Sequence, residues 1–596
     1  MEGHLVRLCL DAASKSRESV EIWRRQRRTL ERMPTQLADA LLRQLLRRRL
    51  VYPSLLEVFQ QCVEEIDLKG ESFVDAEWMA YLGSFRHLRA LNLADCRGIN
   101  NAAIWSITGM TTLKELDLSR CSKVTDAGIE HLLSIPSLKK LCIPESGLTA
   151  KGIMRLSTLG KLSVLDLGGL PVTDLALNSL QALTQMEYLD LWGSKISNKG
   201  AEILKMFPKL NFLNLAWTNV TKLSKLPSLT CLNMSNCTIQ YIFEGEDGAR
   251  TPLSKLVISG ATFTDVHDAF SYMEASSLSV LDISNSTVQD FHFLEDMNRL
   301  EYLDVSSSRM EDDDLLKSVA CVGWNLKDLN LSNTRISTLG VTTLAGKVPN
   351  LQTLCLSHTA VDDAALSYIS MMPSLRAINL RNTNIKGFTN QGGQGRVLSL
   401  TALQNLDHLE WLDLEDTQIR DEVLHPLSAF GELNHLSLKS DFLSDISLHT
   451  VSSLPKLQSL GIRGAVLSNN GLLSLQPPSM LQMLDLRECW LLTEDAISTF
   501  CRSHPRIVVQ HELVHTSSIC QNAGDDGSSP SRGTSSASQA RLKKGKSSQA
   551  SCRFRRENFV DERIKYSREE LLRLQFSAVL APPHTGISGP QAPVKE

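Results

Sequence analysis

Histidine and cysteine lie close together near residue 500, where Cys501, His504 and His511 could offer sulfur and nitrogen ligands to a metal ion. Their spacing matches no familiar metal motif, so we expect structural roles for all three. The signatures of serine hydrolases, P-loop proteins, zinc metalloproteases and kinases are also missing from the sequence. The sequence therefore predicts a protein that is not an enzyme and holds neither a metal nor an organic cofactor.

A glycine-rich stretch, residues 390–395, is the one segment that resembles a phosphate-binding loop. No Lys-Ser or Lys-Thr pair follows it, and it does not join a strand to a helix in a βαβ unit. We expect a flexible surface loop instead.

Charged and aromatic residues recur at fixed places in a repeating pattern. One position is acidic in many copies, and we interpret this ladder as structural: Asp117, Asp166, Asp190, Asp282, Asp304, Asp413 and Asp485. Two residues further on, late copies carry cations, which predict a basic strip with Trp490 beside it: Arg381, Lys439, Arg463 and Arg487. Trp192 and Trp217 predict an aromatic patch in earlier copies. Such a surface would bind an acidic peptide or a terminal carboxylate; ordinary solvated surface is the alternative.

These residues are positioned by the pattern L-x-x-L-x-L, which recurs about 18 times from Val63 to Leu486, mostly at steps of 24 or 25 residues. The alternation predicts a short strand with leucines inward and the intervening residues outward. A Ser/Thr-Asp/Asn pair such as Thr173-Asp174 or Ser444-Asp445 then predicts the capped start of an outer helix. The step from Leu210 to Leu229 is only 19 residues, so we expect that repeat to lack its helix.

The position three residues after the last strand leucine is often Cys or Thr, as at Cys96, Cys121 and Thr334, and we expect these side chains to satisfy buried backbone in the turn. The pattern resembles intracellular ribonuclease-inhibitor-like leucine-rich repeat proteins of the plant type. The resemblance implies an α/β leucine-rich repeat solenoid over residues 63–515, a horseshoe with parallel strands on the concave face and helices outside. Residues 506–509 predict a closing strand.

Residues 1–62 lack the repeat and predict a helical N-terminal segment. Its start, from Leu5 through Cys9 to Ala13, has the form L-x-x-x-C-x-x-x-A, and Pro34 and Leu37 follow in a second short pattern. Together these resemble the Zyg/Zer VHL-box or F-box adaptors of cullin-RING ubiquitin ligases. The resemblance implies docking to ligase subunits of the elongin or Skp type. The alternative is a helical cap that shields the first repeat.

The C-terminal residues predict a disordered linker (516–550), a short helical docking motif (551–580) and a disordered tail (581–596). In the motif, Tyr566, Leu571 and Leu572 fit Y-x-x-x-x-L-Φ, which resembles proteins that bind the mRNA cap-binding initiation factor. The resemblance implies that these three residues contact that factor. A different docking helix, or one that folds back on the solenoid, is the alternative.

Composition limits the function further. The chain has 596 residues, of which 42% are hydrophobic and 21% charged, with a net charge of −4. These values exclude a wholly disordered chain and a strongly basic nucleic-acid coat, and we predict no membrane span and no specific nucleic acid. With no signal peptide and no disulfide pattern, we expect a cytoplasmic or nuclear protein. The resulting prediction is a protein-binding scaffold. It is a ubiquitin-ligase adaptor or a translation regulator, two roles that do not exclude each other, and the third alternative is a plain scaffold in which neither terminal motif acts.

Overall fold

The computed structural model describes residues 2–25, 33–245, 251–390 and 396–512. They fall into two compact units. The first comprises Met1–Val361 and Met371–Leu375, and the second comprises Asp362–Ser370 with the described residues from Arg376 onward. The predicted linker, docking motif and tail (516–550, 551–580 and 581–596) lie outside the described residues.

The first unit is built on a parallel sheet of three-residue strands. Each strand pairs with that of the next repeat so that central leucines align, as Leu189 does with Leu213. The central leucines are buried because the alternating pattern points them away from solvent. The strands are Glu65–Asp67, Ala90–Asn92, Glu115–Asp117, Lys140–Cys142, Val164–Asp166, Tyr188–Asp190, Phe212–Asn214, Cys231–Asn233, Lys255–Val257, Val280–Asp282, Tyr302–Asp304, Asp328–Asn330 and Thr353–Cys355.

Short helices follow most of these strands and pack their apolar residues against the leucines. The α-helices of the repeats are Ala76–Leu82, Asn101–Trp105, Asp126–Leu132, Ala150–Arg155, Asp174–Ser179, Asn198–Ile203, Val266–Phe270, Asp312–Val322 and Thr338–Leu344. Single 3-10 turns extend or replace them at Leu156–Thr158, Leu180–Ala182, Leu204–Met206, Ala275–Ser277 and His292–Asp296. Thr173 and Ser197 cap their helices through side-chain oxygens, as the sequence predicts, whereas the Thr125 side chain makes no capping bond.

The short repeat after Leu210 has a strand, Lys222–Ser224, where the preceding repeat has the helix Asn198–Ile203, which confirms the prediction. This strand pairs in parallel with Tyr241–Glu244, and Thr238–Ile239 pairs with Thr262–Phe263 in the same way. With only 19 residues available, an extended segment spans the distance that a helix and its loops would otherwise cross.

Cysteine and threonine in the turns hold buried carbonyls, as predicted. The Cys96 thiol donates to the Leu68 carbonyl of the preceding repeat at 3.1 Å. The Thr334 hydroxyl donates to the Leu331 carbonyl of its own repeat at 2.6 Å. Burial raises the pKa of the Cys96 thiol to about 11, so it stays protonated and unreactive.

The N-terminal segment folds as α-helices Glu2–Ala13, Arg17–Arg24 and Thr35–Arg47 with a 3-10 helix Pro53–Phe59. Apolar residues of the last two are buried: Ala38, Leu41, Leu42, Leu45, Leu46, Leu55, Leu56, Val58 and Phe59. Asp39 accepts a hydrogen bond from the Glu64 backbone N–H at the start of the first strand. The segment therefore covers the open end of the first repeat. Without this cover, the apolar residues at that end would be exposed to water.

The second unit repeats the design with strands Ala377–Asn379, Trp411–Glu415, His435–Lys439, Ser459–Arg463, Met483–Asp485 and Val508–Gln510. Its α-helices are Ala365–Ile369, Asp445–Val451, Asn469–Ser474 and Glu494–Ser503, with 3-10 helices Ser399–Asn405 and Asp421–Ala429. The last strand pairs with Met483–Asp485, in agreement with the predicted closing strand.

The long step between Leu375 and Leu409 contains an antiparallel hairpin, Phe388–Asn390 with Arg396–Leu398. Of the glycine-rich residues 390–395 that were predicted to form a loop, Asn390 ends the first strand of this hairpin, and residues 391–395 lie outside the described residues. The base of the hairpin is fixed by the buried Asp363 carboxylate. It accepts hydrogen bonds from the backbone N–H groups of Lys386 and Gly387 at 2.9 and 2.7 Å and from the Ser399 hydroxyl at 2.6 Å.

Candidate protein-binding surfaces

Of the three residues considered as metal ligands, His504 has a clear local structural partner. The His504 ring packs on Phe500 with centroids 4.5 Å apart, and its Nδ1 lies 3.3 Å from the Phe500 carbonyl oxygen. Burial raises the pKa of the Cys501 thiol. Within the described residues, no three His, Cys, Asp or Glu side chains are placed to hold a metal ion.

The acidic ladder has a local backbone role. In each case the side-chain oxygen accepts a hydrogen bond from the backbone N–H two residues further on, which closes the turn after the strand. The Asp190 carboxylate accepts from Trp192 at 2.9 Å and Asp485 accepts from Arg487 at 3.1 Å. Asn takes the same role elsewhere, as Asn214 does for Ala216 at 3.0 Å. A neutral amide is therefore sufficient for this structural role.

The four cations of the predicted basic strip all lie in the second unit, and each contacts carboxylates. Arg381 lies 3.0 Å from Glu415 and 2.8 Å from Asp416. Lys439 bridges Asp416 at 3.2 Å and Glu488 at 3.0 Å.

Arg463 occupies the middle of this network and is only 18% exposed. It reaches Glu415 at 3.1 Å and Glu488 at 2.7 Å. Arg487 pairs with Asp485 at 2.5 Å. Burial alone would raise the pKa of Asp485, but the hydrogen bonds and charge of Arg487 hold it below the ordinary value.

The cations are thus balanced by four carboxylates: Glu415, Asp416, Asp485 and Glu488. The strip carries no excess of positive charge, which corrects the electrostatic part of the sequence prediction. Asp485 belongs to the predicted acidic ladder and Glu415 lies at the position that carries the cations, so the sequence reasoning missed Asp416 and Glu488. Asp416 and Glu488 follow that position directly, where the backbone is left-handed (φ 56° and 65°). A partner-binding role for Arg381, Lys439, Arg463, Arg487 and the half-buried Trp490 stays a prediction.

The aromatic patch predicted in the first unit is larger than the sequence indicated. Trp192 is 38% and Trp217 is 61% exposed. On neighbouring strands, the rings of Tyr188 and Phe212 stack with centroids 4.1 Å apart and planes within 5° of parallel. Tyr188 and Phe212 belong to the same outward face and were missed because they precede the central leucine of their strands, whereas the sequence prediction used the two outward positions that follow it.

Two carboxylates lie beside these aromatic residues: Asp190 is on the same strand as Tyr188, and Asp166 is on the preceding strand. A side chain at Gly168 would place its Cβ 3.3 Å from Asp166 Oδ1 and 3.5 Å from Asp190 Oδ1, so the glycine leaves room for both. Burial, followed by the negative charge of Asp190 and other acids, raises the pKa of Asp166 to about 6. Burial also raises the pKa of Asp190, although Trp192 and Asn214 donate hydrogen bonds to it.

The residues of the predicted N-terminal box lie on two helices. Cys9 is exposed and Ala13 half-buried on the first helix, and the backbone of Leu5 belongs to the same helix. Pro34 is the exposed N-cap of the helix Thr35–Arg47, and Leu37 is half-buried in its first turn. Tyr566, Leu571 and Leu572 of the C-terminal motif lie outside the described residues.

Comparison with known proteins gives one family match, a Leucine Rich repeat model at residues 109–133. No curated protein matches the chain. Similar solved structures include an internalin of Listeria monocytogenes, which is 19% identical with a TM-score of 0.37 over 65% of this chain and 90% of that one. A Leptospira interrogans LRR protein is 16% identical, with a TM-score of 0.39 over 77% of this chain and 99% of its own. The mouse RP105/MD-1 complex is 16% identical, with a TM-score of 0.45 over 77% of this chain and 88% of that one.

The repeated strands with their outer helices and the matched repeat together define a leucine-rich repeat protein. Proteins of this architecture use the exposed strand faces to bind other proteins. Among the described residues, no helix is both long and apolar enough to cross a bilayer.

Proposed function

We propose that this chain is a non-enzymatic protein-binding scaffold that acts as the substrate-recognition adaptor of a cullin-RING ubiquitin ligase. In this proposal the N-terminal helix docks a ligase subunit of the elongin or Skp type, and the exposed strand faces hold the target protein. Both steps would occur in the cytoplasm or nucleus.

The exposure of apolar side chains on the helix Glu2–Ala13 is the observation that carries the docking step. Val6 and Leu8 are 38% and 53% exposed, and Cys9 is exposed beside them. An isolated water-facing helix gains nothing from such residues, whereas a partner groove would bury them.

This helix is fixed to the rest of the segment through Asp11, which lies on another side than Cys9, and through its C-terminal end. The Asp11 carboxylate accepts hydrogen bonds from Gln44 at 2.5 Å and Arg48 at 2.8 Å, and the Ala13 carbonyl accepts one from the Trp23 indole at 2.9 Å. The helix is thus held by one side while the Cys9 side faces solvent, which suits a docking element that must be presented rather than formed on binding.

Binding of the purified full-length protein to purified elongin and Skp-type subunits tests the docking step. We expect one subunit type to bind the wild type and Cys9→Asp to weaken binding at least about tenfold, because a desolvated charge in an apolar groove is costly. Arg7→Asp is the matched control, since position 7 is two residues from both Leu5 and Cys9 and lies on another side of the helix. Failure of the wild type to bind either subunit type, or equal weakening by both substitutions, would refute the adaptor role.

A second candidate function rests on the sequence pattern at Tyr566, Leu571 and Leu572, which favours binding to the mRNA cap-binding initiation factor and hence translation control. The Leu571→Ala/Leu572→Ala double variant should lose affinity for the purified factor because the pair would fill an apolar groove. Leu574→Ala, outside the pattern, is the control. Undiminished affinity of the double variant would refute this alternative.

A further inference from the structure

One outward face of the first unit combines exposed aromatic rings with carboxylates. We call it the aromatic–acidic face and define it by six residues: Asp166, Tyr188, Asp190, Trp192, Phe212 and Trp217. They lie on three successive strands and the turns that follow them. The strands pair in register, Asp166 with Asp190 and Tyr188 with Phe212.

The two tryptophans contribute little to the core. Trp217 is 61% exposed and has a left-handed backbone (φ 59°), at a turn position where neighbouring repeats have glycine or a short polar residue, as at Gly193 and Asn236. A bulky residue there costs roughly 1 kcal/mol relative to glycine. Trp192 covers the backbone of Gly169, where an added Cβ would lie 3.0 Å from the indole. Large indole surfaces therefore face solvent beside the Tyr188–Phe212 stack.

Among the residues that the structure describes, the carboxylates of this face lack a counter-ion. Within the described part of the chain, no Lys, Arg or His lies within ion-pair distance of Asp166 or Asp190. Two cations of the preceding repeats are engaged elsewhere. Arg120 pairs with Asp95 at 3.2 Å and Glu145 at 3.7 Å, and Lys140 pairs with Glu115 at 3.8 Å.

At Asp485 in the second unit the ladder has the opposite arrangement, since this carboxylate is paired with Arg487 at 2.5 Å. Asp166 and Asp190 thus resemble the carboxylates of an ion-pair network whose cations are not among the described residues. A partner can supply the missing half, because a cation placed between two carboxylates and next to aromatic faces gains both charge pairing and cation–π contact.

We propose that the aromatic–acidic face binds an arginine-bearing segment of a partner protein. The guanidinium plane would stack on the indole of Trp192 or Trp217 while its N–H groups donate to Asp166 and Asp190. An acidic segment would be repelled by the two carboxylates, and a wholly apolar one would bury them without a partner. This inference rests on the proposed scaffold function and names the class of target that the first unit takes.

Fluorescence anisotropy with the full-length protein tests this inference. The probe is a fluorescein-labelled peptide of alternating glycine and arginine, and its comparison is the same peptide with citrulline, which keeps the shape of arginine without the charge. We expect the arginine peptide to bind at least about tenfold more tightly than the citrulline peptide, with affinity falling as salt rises.

The Asp166→Asn/Asp190→Asn variant should remove that preference. It should fold, because asparagine fills the same ladder position at Asn214 and Asn233. Trp217→Gly should weaken binding of the arginine peptide several-fold, and it should also relieve the backbone strain of the left-handed turn. Asp282→Asn, at the same ladder position on a distant strand, is the matched control and should bind as the wild type does.

Equal binding of both peptides by the wild type, or an arginine preference that survives in the Asp166→Asn/Asp190→Asn variant, would overturn the inference. Lack of binding to either peptide would overturn it as well. Docking of the ligase subunit through Cys9 is measured on the same preparations, so failure of this face is distinguished from failure of the adaptor role.

Discussion

The Asp174 carboxylate accepts two hydrogen bonds from Ser197 of the next repeat, one from its backbone N–H at 2.8 Å and one from its hydroxyl at 2.6 Å. Ser197 is itself the N-cap of the helix Asn198–Ile203. The same arrangement joins Asp126 to Thr149, Asp312 to Ser337, Asp421 to Ser444 and Asp445 to Ser468. Neighbouring repeats are therefore connected on the helix side by their caps as well as by the shared core.

Gly200 makes room for this contact. A Cβ at that position would lie 2.3 Å from Asp174 Oδ1 and 2.7 Å from the Ile196 side chain. The glycine is required by the carboxylate of the preceding repeat rather than by backbone conformation. Gly152, Gly340 and Gly471 meet Asp126, Asp312 and Asp445 in the same way.

Substitution of Gly200 by alanine should therefore destabilise the first unit by about 1–3 kcal/mol, because the added methyl group displaces the Asp174 carboxylate from Ser197. Removing that carboxylate should relieve the clash. The free energy of unfolding of the Asp174→Ala/Gly200→Ala double variant should therefore fall by less than the sum of the losses in the two single variants. Urea unfolding followed by circular dichroism measures the cycle. Gly160→Ala, where the added Cβ meets no atom within 4 Å, is the control. Strict additivity would contradict the contact.

Arg463 should contribute more to the stability of the second unit than Arg487. Removal of Arg463 takes a cation from the nearly buried Glu415, whose side chain is 9% exposed, so we expect Arg463→Met to cost about 2–3 kcal/mol. Arg487 is 42% exposed and contacts Asp485 of its own turn, so Arg487→Met should cost less than about 1 kcal/mol. Urea unfolding midpoints of the two variants give the comparison, and equal losses would contradict the asymmetry.

The stability of the first unit should respond to pH through Asp166. Burial raises the pKa of this carboxyl to about 6, above its unfolded value of about 4. The folded state then binds the proton more tightly, so Asp166 destabilises the fold as pH rises from about 4 and does so fully above about 6. Asp166→Asn should therefore stabilise the protein by on the order of 1–2 kcal/mol at pH 7.5, after allowance for partial exposure, and by little near pH 4. An equal effect at the two pH values in urea unfolding would contradict this origin.

Loss of the Asp363 carboxylate should release the hairpin of the second unit. Asp363→Ala would leave the backbone N–H groups of Lys386 and Gly387 without their buried acceptor, at a cost of about 2–4 kcal/mol. Limited trypsin digestion should then cleave sooner at Lys386 or Arg396 than in the wild type. Ser399→Ala, which removes one donor and leaves the carboxylate, should show a smaller change. Unaltered cleavage rates in Asp363→Ala would contradict the anchoring role.

The sequence by itself determined the fold of this protein. Leucines at a period of 24 or 25 residues can be buried together only by stacking strand on strand, so the strands, the missing helix after Leu210 and the closing strand near Val508 followed from spacing alone. The turn roles of Cys96 and Thr334 followed for the same reason, since each repeat places that position in one environment.

The charge of each surface was decided only by the tertiary structure. Glu415 and Arg463 are 48 residues apart in the chain, yet strand stacking brings their side chains to 3.1 Å, and the predicted basic strip becomes a balanced network. In the first unit the same stacking brings Asp166 and Asp190 together beside Gly168, with no cation of the described residues at ion-pair distance. Periodicity reports which way a side chain points within its own repeat, whereas Coulomb interactions depend on the distances between repeats, which exist only once the repeats are stacked.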